Sequence, residues 1–172
     1  MSGRGPRGAE RTEGVRAQLP LLDRLIDDAP DTPRDPPVSP AEAMAALRRS
    51  VRRDLEALLN GRRRWRSWPA GYAELRVSPL GYGIPDFTSG ALNDPRRRES
   101  LRAEIEDTIR RFEPRFASVR VTLLENKERL EATLRLRIDA LLHAEPAPEP
   151  VAFDTLVDAT TADVVVRPRD DV

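Results

Sequence analysis

Cysteine is absent from the 172 residues, and histidine and lysine occur once each, as His143 and Lys127. The first absence removes disulfides, thiolate nucleophiles and cysteine-ligated zinc together. A single histidine leaves no histidine-rich metal site, and a serine triad would rest on this one residue at the end of a strand. Its plainer role is that of a half-exposed strand residue. Aromatic residues are scarce at 5% of the chain, and no apolar run is long enough to span a bilayer. Net charge is absent too, with 29 basic and 29 acidic residues, so no global field draws nucleic acid or an anionic membrane. The polar N-terminus, containing Gly and Arg, lacks the apolar core of a signal peptide. These absences lead to the expectation of a cytoplasmic, soluble, single-domain protein with no metal and no cofactor.

What is present begins with a tail. Met1 to Gln18 has no apolar periodicity and reads as disordered. Leu21, Leu22, Leu25 and Ile26 then share one side of a short amphipathic segment, followed by a linker carrying Pro30, Pro33, Pro36 and Pro37. Two readings stand for that segment: it docks back on its own domain, or it docks on a partner as a helix in a groove. The expected organisation is a tail over 1–38, a folded domain over 39–167 and a short C-terminal tail over 168–172.

Two helices are well signalled. Ser39 is the expected N-cap of the first, with Pro40 at its first position and Glu42 completing a capping box. Met44, Leu47, Val51, Leu55 and Leu58 form its apolar stripe, and Gly61 marks its end. Asp94 and Pro95 open the second helix, where Arg96, Arg97 and Arg98 oppose the helix dipole. Between the helices lie two features that resemble binding motifs. Arg62, Arg63, Arg64 and Arg66 alternate with Trp65 and Trp68, which is either a phosphate-binding cluster or a turn whose tryptophans pack inward. Gly81 and Gly83 imitate part of a phosphate loop, but no strand precedes them and Pro85 forbids an immediate helix. A structured loop packed through Leu80, Tyr82 and Phe87 is expected there.

The C-terminal third is β. Val119 to Glu125 and Ala132 to His143 alternate and are joined by Asn126 to Arg129, a hairpin signal. Leu134, Leu136, Ile138 and Ala140 should face the core, with Arg135, Arg137 and Asp139 outside. Val151 to Val157 and Val164 to Arg167 predict a second hairpin, whose last strand, Val164-Val165-Val166, reads as a sheet edge and a template for strand addition.

Between helix and sheet stands Arg110-Arg111-Phe112-Glu113-Pro114-Arg115-Phe116. Leu101, Ile105, Ile109 and Phe112 recur at helical spacing before it, and Val119, Val121 and Leu123 alternate after it. Pro114 cannot continue the helix and pushes Glu113 towards an extended conformation. One acid and one base therefore flank a rigid kink, as a functional surface or as a structural lock.

The ordered set of Trp68-Pro69, Glu74-Leu75, Tyr82-Gly83-Ile84-Pro85-Asp86-Phe87, Phe112-Glu113-Pro114-Arg115, Val121-Thr122-Leu123 and Phe153-Asp154-Thr155 resembles the TssE family. These are baseplate wedge subunits of the bacterial type VI secretion system, similar to the lysozyme-like wedge proteins of contractile phage tails. The resemblance implies an α+β fold, an antiparallel sheet packed by two main helices. It also implies a non-enzymatic cytoplasmic role beside TssF, TssG and TssK and beneath the TssB–TssC sheath. Carried over residue by residue, it assigns partner binding to Glu113, Pro114 and Arg115. The segment Leu21, Leu22, Leu25 and Ile26 and the edge Val164, Val165 and Val166 join that list from the pattern. Three positions depart from the family: Pro79 where an apolar residue is usual, and Ala159 and Ala162 where the last hairpin usually has Pro and Gly.

A second function class is glycoside hydrolysis, raised only by the lysozyme-like label. It requires two carboxyl groups roughly 5–10 Å apart, one of them in an apolar pocket. Glu113 would be the acid, with Glu125 or Asp139 its partner. Arg115 beside Glu113 opposes this, because a guanidinium favours the ionised carboxylate over the acid.

Overall fold

Ser39 does what its sequence context predicts. Its hydroxyl accepts the Glu42 N–H at 3.3 Å while the Glu42 carboxylate accepts the Ser39 N–H at 2.9 Å, closing a capping box. Helix α1 runs from there over Pro40–Asn60. The computed structural model describes residues 23, 25–26, 30–31, 39–63, 69–87, 94–124, 133–145, 147–158 and 160–169. Leu21, Leu22, most of the expected disordered tail, Trp65, Trp68 and the hairpin turn at 126–129 lie outside the described residues.

Gly61 ends α1, but not through a left-handed turn: its φ is −64° and its N–H bonds the Ala57 and Leu58 carbonyls. The next residues form a two-residue strand, β1 (Arg62–Arg63), parallel to β2 (Ile84–Pro85). Between them the segment expected to be a structured loop folds into two 3-10 helices, Ala70–Val77 and Pro79–Gly81. Gly83 adopts φ +90°, where a Cβ would collide with the Gly61 backbone, so this glycine serves a tight chain crossing. Phe87 is buried as expected, whereas Leu80 and Tyr82 are exposed. Tyr82 still packs its ring against Phe112, so the expectation of a loop packed through all three is corrected at Leu80.

Asp94 caps α2 (Pro95–Phe112) by accepting the Arg96 N–H at 2.9 Å. Helix α2 buries Leu101, Ile105, Thr108 and Ile109. Strands β3 (Phe116–Leu124), β4 (Thr133–Leu142), β5 (Glu149–Asp158) and β6 (Val164–Pro168) then form one antiparallel sheet in sequential order. The inner face carries Leu134, Leu136, Ile138 and Ala140, joined in one core by Val51, Leu55 and Leu59 of α1 and by Ile105 and Ile109 of α2. The mixed α+β class, with helices on one face of an antiparallel sheet, is as the sequence predicted. Truncating a fully buried member such as Leu55 or Leu136 should cost about 2–5 kcal/mol.

On both outer edges of the sheet, side chains of the neighbouring helix occupy outward backbone groups. On β6, Asn60 donates to the Val164 carbonyl at 2.8 Å and accepts the Val164 N–H at 2.9 Å. One and two turns earlier, Glu56 and Arg52 reach the N–H and carbonyl of Val166 at 3.4 and 3.5 Å. On β3, Glu106 accepts the Val121 N–H at 3.1 Å and Arg102 donates to the Val121 carbonyl at 3.2 Å. Arg110 reaches the Val119 carbonyl at 3.5 Å. Each helix thus presents a polar ladder at i, i+4 and i+8 that takes the place of a neighbouring strand.

Candidate functional site

Helix α2 cannot continue past Phe112 because Pro114 has no N–H to give and restricts the residue before it. Glu113 accordingly leaves the helix with φ −117° and ψ 79°, its own N–H still bonding the Ile109 carbonyl. That conformation turns its side chain inward, to 4% exposure. A buried carboxylate needs partners, and Arg115 supplies them from across the kink. Arg115 donates to Oε1 of Glu113 through its backbone N–H at 3.2 Å and its Nε at 2.6 Å, and to Oε2 through a terminal guanidinium nitrogen. The result is a bidentate fork two residues long.

The guanidinium extends beyond this fork. Its other contacts are Asp54 Oδ2 at 2.8 Å and the buried Ser50 hydroxyl at 3.2 Å, both on α1. The Arg115 carbonyl accepts the His143 N–H at 2.8 Å from the end of β4. Arg53 continues the network, donating to Asp54 at 3.1 Å, Ser50 at 3.2 Å and Asp23 at 2.9 Å. One residue therefore ties together the end of α2, the middle of α1, the end of β4 and, through Arg53, the N-terminal segment.

The electrostatics follow from these contacts. The Arg53 hydrogen bond holds the Asp23 carboxyl below its ordinary value. Arg115 is shifted up, since burial disfavours its charge but its bonds to Glu113 and Asp54 outweigh that. Burial raises the Tyr82 hydroxyl, and the charges of Asp54 and Glu113 raise it further. Tyr82 thus belongs to the same corner, where its ring also meets Phe112 edge-on at 5.5 Å. Exposed apolar groups flank the ions: Leu25 at 73%, Ile26 at 53%, Leu80 at 53% and Tyr82 at 40%.

The predicted site residues fall into separate places. Glu113 is buried, Pro114 is exposed and Arg115 lies between these extremes. Asp23 touches the domain while Leu25 and Ile26 stay exposed, so the segment is anchored without burying those apolar side chains. Val164 and Val166 face the core, and Val165 alone is exposed. The expected open template on β6 is corrected, because Asn60, Glu56 and Arg52 occupy its outward backbone groups. Sequence reasoning missed Ser50 and Asp54 as partners of Arg115, and Arg53 as the group that shares them. Their i, i+3 and i+4 spacing on α1 was a visible signal without an address.

Of the remaining motifs, Arg62, Arg63 and Arg97 make internal contacts, while Arg64 and Arg66 lie outside the described residues. Arg62 lies over the Phe87 ring at 4.9 Å, and Arg63 pairs with Glu104 at 2.6 Å. Arg97 meets Asp94 at 3.9 Å, and Glu99 and Glu106 pair with Arg102. For the hydrolase reading, both oxygens of Glu113 are taken by Arg115, Asp139 is exposed on the outer face of β4, and Glu125 lies outside the described residues.

A family model described as baseplate wedge protein gp25 matches residues 45–147. The chain belongs to the baseplate wedge protein gp25 family. The match spans α1 from residue 45 onward, all of α2, β3 and β4, and the whole Glu113–Arg115 corner, and stops before β5. No curated protein and no solved structure matches the chain significantly. Among the described residues, no helix is long and apolar enough to cross a membrane. A general structural role fits the gp25 family, and the corner is the place where its charged network reaches the surface.

Proposed function

We propose that this gp25-family chain is a structural baseplate wedge component of a type VI secretion system, which joins the wedge and helps start the contractile sheath. The single observation that carries this reading is the family match, which contains the entire Glu113-Pro114-Arg115 corner. The geometry supports it by giving the corner the anatomy of a contact surface. Arg53, Asp54 and Arg115 present partly exposed charges, and Leu25, Ile26 and Tyr82 supply exposed apolar area beside them. Glu113 is then a positioning residue, and Arg115 and Asp54 are the groups offered to a partner. The resemblance to TssE names TssF, TssG and TssK as wedge partners and TssB and TssC as the sheath. The role is non-enzymatic and cytoplasmic in this account. Co-purification with TssF, TssG and TssK from cells carrying the secretion cluster tests it. A folded chain that captures none of them overturns it.

A further inference from the structure

The outer face of the sheet is unlike the rest of the molecule. Cross-strand register puts Arg120, Asp139 and Ala152 in one row, with Arg169 bonded to Ala152 at its end. The next row is Thr122, Arg137, Asp154 and Arg167, and the third is Leu124, Arg135, Leu156 and Val165. These rows hold five arginines against two aspartates, in a chain whose charges balance overall at 29 and 29. Both helices pack on the opposite face.

The charges on this face are only partly paired within it. Asp154 lies 3.7 Å from Arg137 and 4.0 Å from Arg169. Arg120, Arg135 and Arg167 are exposed, and none has an ion-pair partner among the described residues. Where Ala152 is small, a shallow hollow of about 360 Å³ opens between Arg120, Asp139, Leu141 and Pro150. Leu141 and Val165 add exposed apolar area at 39% and 41%.

Strand addition does not explain such a face. Helix side chains occupy outward backbone groups of Val121 on β3 and of Val164 and Val166 on β6, and the part of β5 that extends past β6 carries Pro150, which has no N–H to offer. Docking here must run through side chains. Charge complementarity requires an acidic partner. A phosphate backbone would meet Asp139 and Asp154 in the middle of the rows, whereas a protein surface can offer carboxylates to the arginines and apolar groups to Leu141 and Val165.

We propose that the outer face of the β3–β6 sheet is a second interaction surface, which docks an acidic surface of another protein through Arg120, Arg135 and Arg167. It is independent of the corner at Glu113 and Arg115.

The test uses the full chain and two fluorescent probes, a poly-glutamate peptide and a generic DNA duplex, followed by anisotropy. The triple variant Arg120→Gln, Arg135→Gln, Arg167→Gln is compared with an equal-charge control, Arg76→Gln, Arg96→Gln, Arg97→Gln, each shown to be folded by circular dichroism. The expected result is peptide binding that weakens about tenfold in the first variant and stays within about twofold of wild type in the control. Absence of peptide binding, or equal weakening in both variants, overturns the proposal. Tighter binding of the duplex than of the peptide, lost in the first variant, overturns it in favour of nucleic acid.

Discussion

Asn60 faces Val164 as a neighbouring strand would, donating to its carbonyl at 2.8 Å and accepting its N–H at 2.9 Å. A side-chain amide has the same donor and acceptor as a peptide unit, so one residue at the end of α1 satisfies both outward groups of an edge valine. Replacing it by alanine leaves that pair without protein partners beside a buried side chain. Asn60→Ala should cost about 1–3 kcal/mol in denaturant unfolding. Amide exchange at Val164 should accelerate, with little change at Val121 on the opposite edge.

The fork between Glu113 and Arg115 predicts an asymmetry. Removing Arg115 strands a carboxylate that is 4% exposed, a change of the kind that costs about 3–5 kcal/mol. Removing Glu113 leaves Arg115 with Asp54 and Ser50, in a place where water reaches the guanidinium. Glu113→Ala should therefore cost only about 1–2 kcal/mol. Urea midpoints of the two variants check the order, and equal losses would mean that Glu113 is not held as described.

Ala162 has φ +63° in the turn between β5 and β6, the left-handed region that glycine enters freely. The TssE resemblance places a glycine at this turn. Relief of about 1–2 kcal/mol of strain is partly offset by the greater freedom of glycine in the unfolded chain, about 0.4–1 kcal/mol. Ala162→Gly should raise stability by about 0.5–1 kcal/mol, read as a higher melting temperature. A lower one would show that the turn does not need the left-handed residue.

Glu106 gives the β3 edge a pH dependence. Burial pushes its carboxyl up, but the Val121 N–H and the Arg110 and Arg102 guanidiniums outweigh that and hold it below the ordinary 4.5. A lowered carboxyl binds fewer protons when folded, so its stabilisation is complete above 4.5 and fades as pH falls through the folded value. Glu106→Gln should lose stability at neutral pH, by about 1 kcal/mol, and show a shallower decline than wild type on acidification. Parallel declines would remove Glu106 from the acid transition.

Much of the fold was legible because its signals are local. The capping box at Ser39 and Glu42, the proline stop at Pro114 and the alternation of Leu134, Leu136 and Ile138 each act within a few residues. The candidate site was half legible. Glu113 and Arg115 stand out in sequence, but their reach to Ser50 and Asp54 spans 65 and 61 positions and depends on how α1 crosses the corner. Edge closure was hidden for the same reason. Arg52, Glu56 and Asn60 look like a solvated helix stripe until β6 lies beside them. Val164-Val165-Val166 read as an open edge because no local feature records a helix side chain acting as a strand.

The central claim is that the buried Glu113 fixes Arg115 for a wedge contact, and co-purification of wild-type and Glu113→Ala chains from cells carrying the secretion cluster tests it most directly. The account predicts a folded variant, with a native circular dichroism spectrum, that captures far less TssF, TssG and TssK than wild type. Undiminished capture by that folded variant would contradict it.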